Sequence, residues 1–211
     1  MWRTLGKVRL FKKSWTVVCL LIFGSNISGQ ITGSAHDFSG ESWGGGEICI
    51  ACHTPHNANT TVPDAPLWNH ELTTATFTVY SSSTMDVTVP QPSDVSKLCL
   101  SCHDGTIALD SYGGNTGSTT IAGDFNLTTD LSDDHPISID WDHQTILPSG
   151  SCGKCHSSHG GGGPFANLAL PFFEGKLECA TCHDVHNTSA TTKLLRLPLA
   201  GSELCLYCHG K

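Results

Sequence analysis

The stretch Cys179-Ala-Thr-Cys182-His183-Asp-Val-His186 decides how the rest of the chain is read. Two cysteines stand two residues apart, a histidine follows at once, and another comes three residues later. The first five-residue unit recurs as Cys49–His53, Cys99–His103, Cys152–His156 and Cys205–His209. These five blocks use ten of the 11 cysteines, and the other, Cys19, lies in an N-terminal apolar run. With 11 Cys and 12 His in 211 residues, chance predicts about 0.03 such blocks. A C-x-x-C pair followed directly by His is the attachment pattern of c-type haem. Two thiols add across the two vinyl groups, and the adjacent imidazole reaches the iron from the same side. Zinc ribbons also pair C-x-x-C units, but have no need of a histidine after each one.

Residues 1–13 carry Arg3, Lys7, Arg9, Lys12 and Lys13 and no acid, and the apolar run Trp15–Phe23 follows. That order predicts a secretory signal peptide over residues 1–29. The run is too short to span a bilayer as a helix. The expectation is an exported protein, placed at the cell surface, outside the cell or in the periplasm, with no membrane span after cleavage. Removing residues 1–29 takes five of the 11 basic residues and none of the 19 acidic ones. The remainder, residues 30–211, then carries a net charge of −13. Such a surface argues against nucleic acid as a partner. It suits redox partner proteins or extracellular acceptors.

The first cysteines of the blocks are separated by 50, 53, 27 and 26 residues. So short a chain buries little apolar surface by itself, and the haems must supply both core and staples. The predicted fold class is mostly irregular coil with short helices and a small β-hairpin, a haem-cored multihaem cytochrome c. One pentahaem domain is expected over 30–211, divisible into a two-haem lobe (30–115) and a three-haem lobe (130–211). Alternation in Thr73–Tyr80 and Met85–Pro90 around Ser81–Thr84 predicts the hairpin. Ser93 is placed to cap a helix running into Cys99. Gly113–Thr120 and Gly160–Pro164 read as loops.

Each block histidine (His53, His103, His156, His183 and His209) fills one axial position of an iron. The opposite face decides between a closed, electron-carrying haem and an open, reactive one. Beyond the initiator, the chain has one methionine, Met85, so Met ligation is not the general answer. Seven further histidines are available. His56, His159 and His186 each follow a block histidine by three residues, too near to reach round to the far face of their own haem but able to reach a neighbouring one. His36, His70 and His135 lie among aromatic, apolar or turn residues and complete the set of distal candidates. His143, between Asp142 and Gln144, reads as a surface residue. Six favoured candidates thus serve five irons, and bis-histidine ligation is the economical reading. It implies potentials below those of His/Met haems.

Four phrases carry a resemblance: Gly46–Asn57, Pro66-Leu-Trp-Asn-His70, Tyr80–Thr84 and Leu98–Thr106. Over residues 35–209 the chain resembles multihaem cytochromes with doubled CxxCH motifs, and within them the small surface cytochromes that form nanowire filaments in metal-respiring microbes. The resemblance implies an extended haem chain with little secondary structure, neighbouring haems in contact, and a histidine lent across the subunit boundary. The filament formers carry four haems, whereas Cys205–His209 makes a fifth block here. Three functions stay open on sequence grounds. They are an outer-surface conduit able to polymerise, a soluble periplasmic shuttle, and a multihaem reductase. The last is disfavoured because every block ends in His. No catalytic residue is expected.

Overall fold

The computed structural model describes residues 31–65, 67–85, 87–140, 170–186 and 192–209. The expected leader and the third block, Cys152, Cys155 and His156, lie outside the described residues, as do His143 and His159.

Regular structure is sparse, as the composition suggests. The longest element among the described residues is helix α1, Asp94–His103. Helices α2 (Cys179–Cys182) and α3 (Glu203–Cys208) are one or two turns each. Short 3-10 turns lie at Phe38–Gly40, Gly123–Phe125, Thr192–Leu194 and Ala200–Ser202. Among the described residues, four two-residue strands make two small sheets. Strand β1 (Thr78–Val79) pairs in parallel with β2 (Asp130–Leu131), and β3 (Ile139–Asp140) pairs antiparallel with β4 (Lys176–Leu177).

Helix α1 is the centre of the apolar packing. Val95 and Leu98, one turn apart, pack with Val62 and Ala65 beneath Trp68, Leu72, Phe173 and Ala180. Leu100 faces the other way, onto Phe77 and Leu131. Ser93 occupies the N-cap position, where its carbonyl accepts the Lys97 N–H at 3.1 Å. Its hydroxyl does not cap the helix; it donates to Asp94 Oδ2 and accepts from Lys176 Nζ at 3.1 Å. Lys176 also meets Asp94 at 2.7 Å, and this bond holds the Asp94 carboxyl below its usual range.

The expected hairpin does not form. β1 finds its partner at Asp130–Leu131 instead of Met85–Pro90. The side-chain amide of Gln91 takes the place of a pairing strand. It donates to Phe77 O and accepts from Phe77 N, both at 2.8 Å. Pro90 and Pro92 on either side of Gln91 lack the N–H groups a ladder needs. A tight turn does form at Phe173-Glu174-Gly175-Lys176, where Phe173 and Lys176 exchange backbone hydrogen bonds. Glu174 and Gly175 both have positive φ, 47° and 75°, the conformation of a two-residue hairpin turn that matches strand twist. This turn leads through β4 into the fourth block.

Candidate haem-attachment sites

Every described block is a helical turn. In the first, fourth and fifth, the block histidine N–H donates to the first cysteine's carbonyl: His53 to Cys49 at 2.8 Å, His183 to Cys179 at 3.0 Å, His209 to Cys205 at 2.9 Å. The second block lies wholly within α1. Residues i, i+3 and i+4 share one face of a helix, so both thiols and the imidazole emerge together. Burial pushes the Cys52 and Cys208 thiols up to about 11 and Cys102 to about 12. These remain thiols at neutral pH, unlike the low-pKa thiolates of redox or metal-thiolate centres.

Three block histidines face a second histidine ring. His103 lies 6.0 Å from His36 between ring centroids, His53 lies 6.0 Å from His186, and His209 lies 6.2 Å from His135. Each pair joins one block histidine to one of the spare set, and no residue is shared between pairs. Ordinary aromatic contacts also fall in this distance range. The recurrence with block histidines is what an axial arrangement requires. A metal bonded to two imidazoles at roughly 2 Å each holds their centroids about 6 Å apart. Among the described residues, no three or more His, Cys, Asp or Glu side chains gather to hold a bare metal ion. Two protein ligands per centre suit a metal whose remaining four positions come from a macrocycle. The donor set fits haem.

Three of the rings are held through Nδ1. Nδ1 of His103 donates to Phe125 O at 2.8 Å, that of His183 to Lys193 O at 2.9 Å, and that of His135 to Pro136 O at 2.9 Å. A carbonyl only accepts, so Nδ1 carries a proton, and the lone pair of the neutral ring would be on Nε2, the nitrogen that could bind iron. Such outer hydrogen bonds fix the tautomer and orientation of metal-binding histidines. His36 is held otherwise. Its ring touches Phe38, Phe38 packs on Trp43, and Trp43 on Tyr112, whose hydroxyl donates to Trp43 O. This aromatic run carries residues 36–43 against the body of the protein. Its imidazole is pulled down to about 4 by burial, and then by the charges of His103 and His183. It is therefore neutral, and its buried Nδ1 has no hydrogen-bond partner among the described residues.

The other expected ligands are placed differently. His56 sits on an exposed turn, where its carbonyl accepts from Thr54 Oγ1 at 2.9 Å. His70 is buried, 3% exposed. Nδ1 lies 2.8 Å from Glu71 O and Nε2 3.0 Å from Ala108 O. Its ring contacts Trp68, and Nε2 lies 3.5 Å from Cys102 Sγ. A neutral imidazole has one N–H for two carbonyls, so iron binding through Nε2 requires that nitrogen to leave Ala108.

Sequence reading missed a structural repeat. In the first block, Thr54 N donates to Leu67 O and Asn69 N to Cys52 O. In the fourth, Asp184 N donates to Leu194 O and Arg196 N to Cys182 O. The same two bonds thus frame both blocks. The matched leucines, Leu67 and Leu194, both have φ of 56°. The matched side chains also act alike: Asn69 Nδ2 donates to Ile50 O at 2.5 Å and Arg196 Nε to Ala180 O at 2.9 Å. Apart from the matched leucine, the two sequences share only Cys-x-x-Cys-His-x-x-His-Asn. The loops to the return strands differ in length, and backbone bonds leave no sequence trace.

Residues 170–211, which hold the fourth and fifth blocks, match a family model described as the doubled CXXCH motif. A comparison with curated proteins finds no match. No helix among the described residues is long and apolar enough to cross a membrane. The motif and the paired cysteines imply covalently bound haem c, the cofactor of an electron-transfer cytochrome.

Proposed function

We propose that this chain attaches five haems c, ligates their irons with two histidines each, and serves as an exported electron conduit at or beyond the cell surface. The observation that carries the reading is the three histidine pairs at 6.0–6.2 Å. Bound haem supplies a one-electron iron couple. The chain's own residues do the rest. Cys49 and Cys52, Cys99 and Cys102, Cys152 and Cys155, Cys179 and Cys182, and Cys205 and Cys208 anchor the five groups. His53, His103, His156, His183 and His209 bind from one side. His186, His36 and His135 close the other side of the first, second and fifth. His56, His70 and His159 are the candidates for the remaining two. Closed irons favour electron transfer over a reductase. His186 ties the fourth block to the first, as the C-x-x-C-H-x-x-H spacing anticipates. Resemblance to the filament-forming surface cytochromes, together with one candidate beyond the number of irons, supports self-association into a filament.

Intact mass of the purified protein should exceed the polypeptide by five haems. The ferric protein should be low-spin, and the ferrous protein should not bind carbon monoxide. High-spin iron with carbon monoxide binding would favour a reductase instead. Electron microscopy of material sheared from cells should show filaments containing this chain. A soluble monomer confined to the periplasm would establish the shuttle reading.

A further inference from the structure

We propose that Cys99 and Cys179 bring the attachment edges of the second and fourth haem sites into direct contact, so that these two blocks form one coupled haem pair although the third block lies between them in the chain. The inference rests on the haem-binding reading above. Helix α1 packs against α2. Ser96 Oγ accepts the Cys179 N–H at 2.9 Å. Glu178 Oε2 accepts from Ser96 N at 3.2 Å and from Ser138 Oγ at 3.0 Å. Ser96, Thr181 and Glu178 are all at most 1% exposed, so the junction is a packed one.

Cys99 lies one turn beyond Ser96, on the same face of α1. The Cys179 N–H on the Ser96 hydroxyl therefore sets the first cysteines of the two blocks beside each other. Two half-buried cysteines beside each other at a helix junction are in themselves an ordinary arrangement. Here both sulfurs belong to attachment blocks, and each marks the edge of its own porphyrin. The first block approaches the same pair from another direction. Asn69 N binds Cys52 O at 2.9 Å, and the next residue, His70, touches Cys102 Sγ. The order of the sites in space therefore departs from their order in the chain.

The test is a structure of the haem-loaded full chain together with circular dichroism in the Soret band. The inference predicts the Cys99 and Cys179 thioether sulfurs in van der Waals contact, with no porphyrin between them. A third-block porphyrin inserted between these two sites would overturn it. The double variant C152A/C155A should lose the absorbance of one haem and keep the split Soret couplet. Collapse of that couplet would show that the third block mediates the coupling, and would overturn the inference. Intact mass separates the two levels of argument. A protein without covalent haem defeats the function itself, whereas five haems with the sulfurs apart defeat only this pairing.

Discussion

The first and fourth blocks share a backbone frame but not a foundation. Both are single helical turns closed by a histidine N–H, and both are bridged by a return strand with a left-handed leucine. The residue before the first cysteine differs. In the fourth block it is Glu178, 1% exposed and bonded to Ser96 and Ser138. In the first it is Ile48, half-buried. The frame is thus a portable means of presenting two sulfurs and an imidazole. What surrounds it decides whether the block lies at the centre of the protein or at its margin.

Breaking that difference should give the largest effect. Glu178→Ala leaves the Ser96 N–H and the Ser138 hydroxyl buried without their acceptor, and should cost about 2–4 kcal/mol. Ile48→Ala, at the matched position, should cost about 1 kcal/mol. Denaturant titration of the haem-loaded variants measures both. Equal losses would mean that the two blocks are equally supported.

The same carboxyl sharpens the comparison through pH. Burial is the main reason that the Glu178 pKa lies above the usual glutamate value. The folded state therefore holds this proton more tightly than the unfolded chain does. The resulting stabilisation is complete below the unfolded glutamate pKa and is lost as pH rises through the folded one. Glu178→Gln keeps the neutral form at every pH. Its stability relative to the parent should rise across that window, then level off. A flat difference between pH 4 and 8 would show that Glu178 ionises freely in place.

The sequence makes the sites more legible than the scaffold. Five blocks of ten cysteines announce themselves because covalent attachment demands fixed spacing. The C-x-x-C-H-x-x-H spacing directs His186 away from its own block, and its ring lies 6.0 Å from His53 of the first. The expectation for His36 and His135 rested on their surroundings, and both stand opposite block histidines. The hairpin reading failed because alternation in Thr73–Tyr80 reports a half-buried extended segment without naming its partner. A glutamine side chain and a distant strand supply the pairing. The repeat of Leu67–Asn69 and Leu194–Arg196 was hidden because carbonyl and N–H groups carry it, and those are common to all residues. The Glu174–Gly175 turn lacks the Asn-Gly or Asp-Gly pair that usually marks such a reversal.

A smaller effect lies in the matched side chains of the return strands. Asn69→Ala removes one side-chain bond, to Ile50 O, and should cost about 1 kcal/mol. Arg196→Ala removes two: the bond to Ala180 O and the 3.0 Å ion pair with Asp184. It should cost about 1–2 kcal/mol, with the ion pair contributing the minor share because both partners are partly solvated. Asp184→Asn separates these parts, since it leaves the Ala180 bond in place and should cost less than Arg196→Ala. A larger loss for Asp184→Asn would assign the clamp to charge instead of to the carbonyl bond.

The smallest effect tests whether the left-handed leucines are tolerated or required. An L-residue in this region is strained by about 1–2 kcal/mol relative to the right-handed form, and glycine relieves that strain while adding freedom to the unfolded chain. Leu67 is 53% exposed, so Leu67→Gly forfeits little burial. Its two opposing terms should leave a net stabilisation of up to about 1 kcal/mol. Leu194 is half-buried, and the packing lost on Leu194→Gly should offset the relief, leaving stability nearly unchanged. Thermal unfolding of the two variants at fixed haem content reads the difference directly. A gain at position 67 with none at 194 would mean that the shared frame fixes the backbone and that the neighbours fix the side chain. A loss at position 67 as large as a buried leucine would show that Leu67 is covered in the assembled protein, by haem or by another subunit.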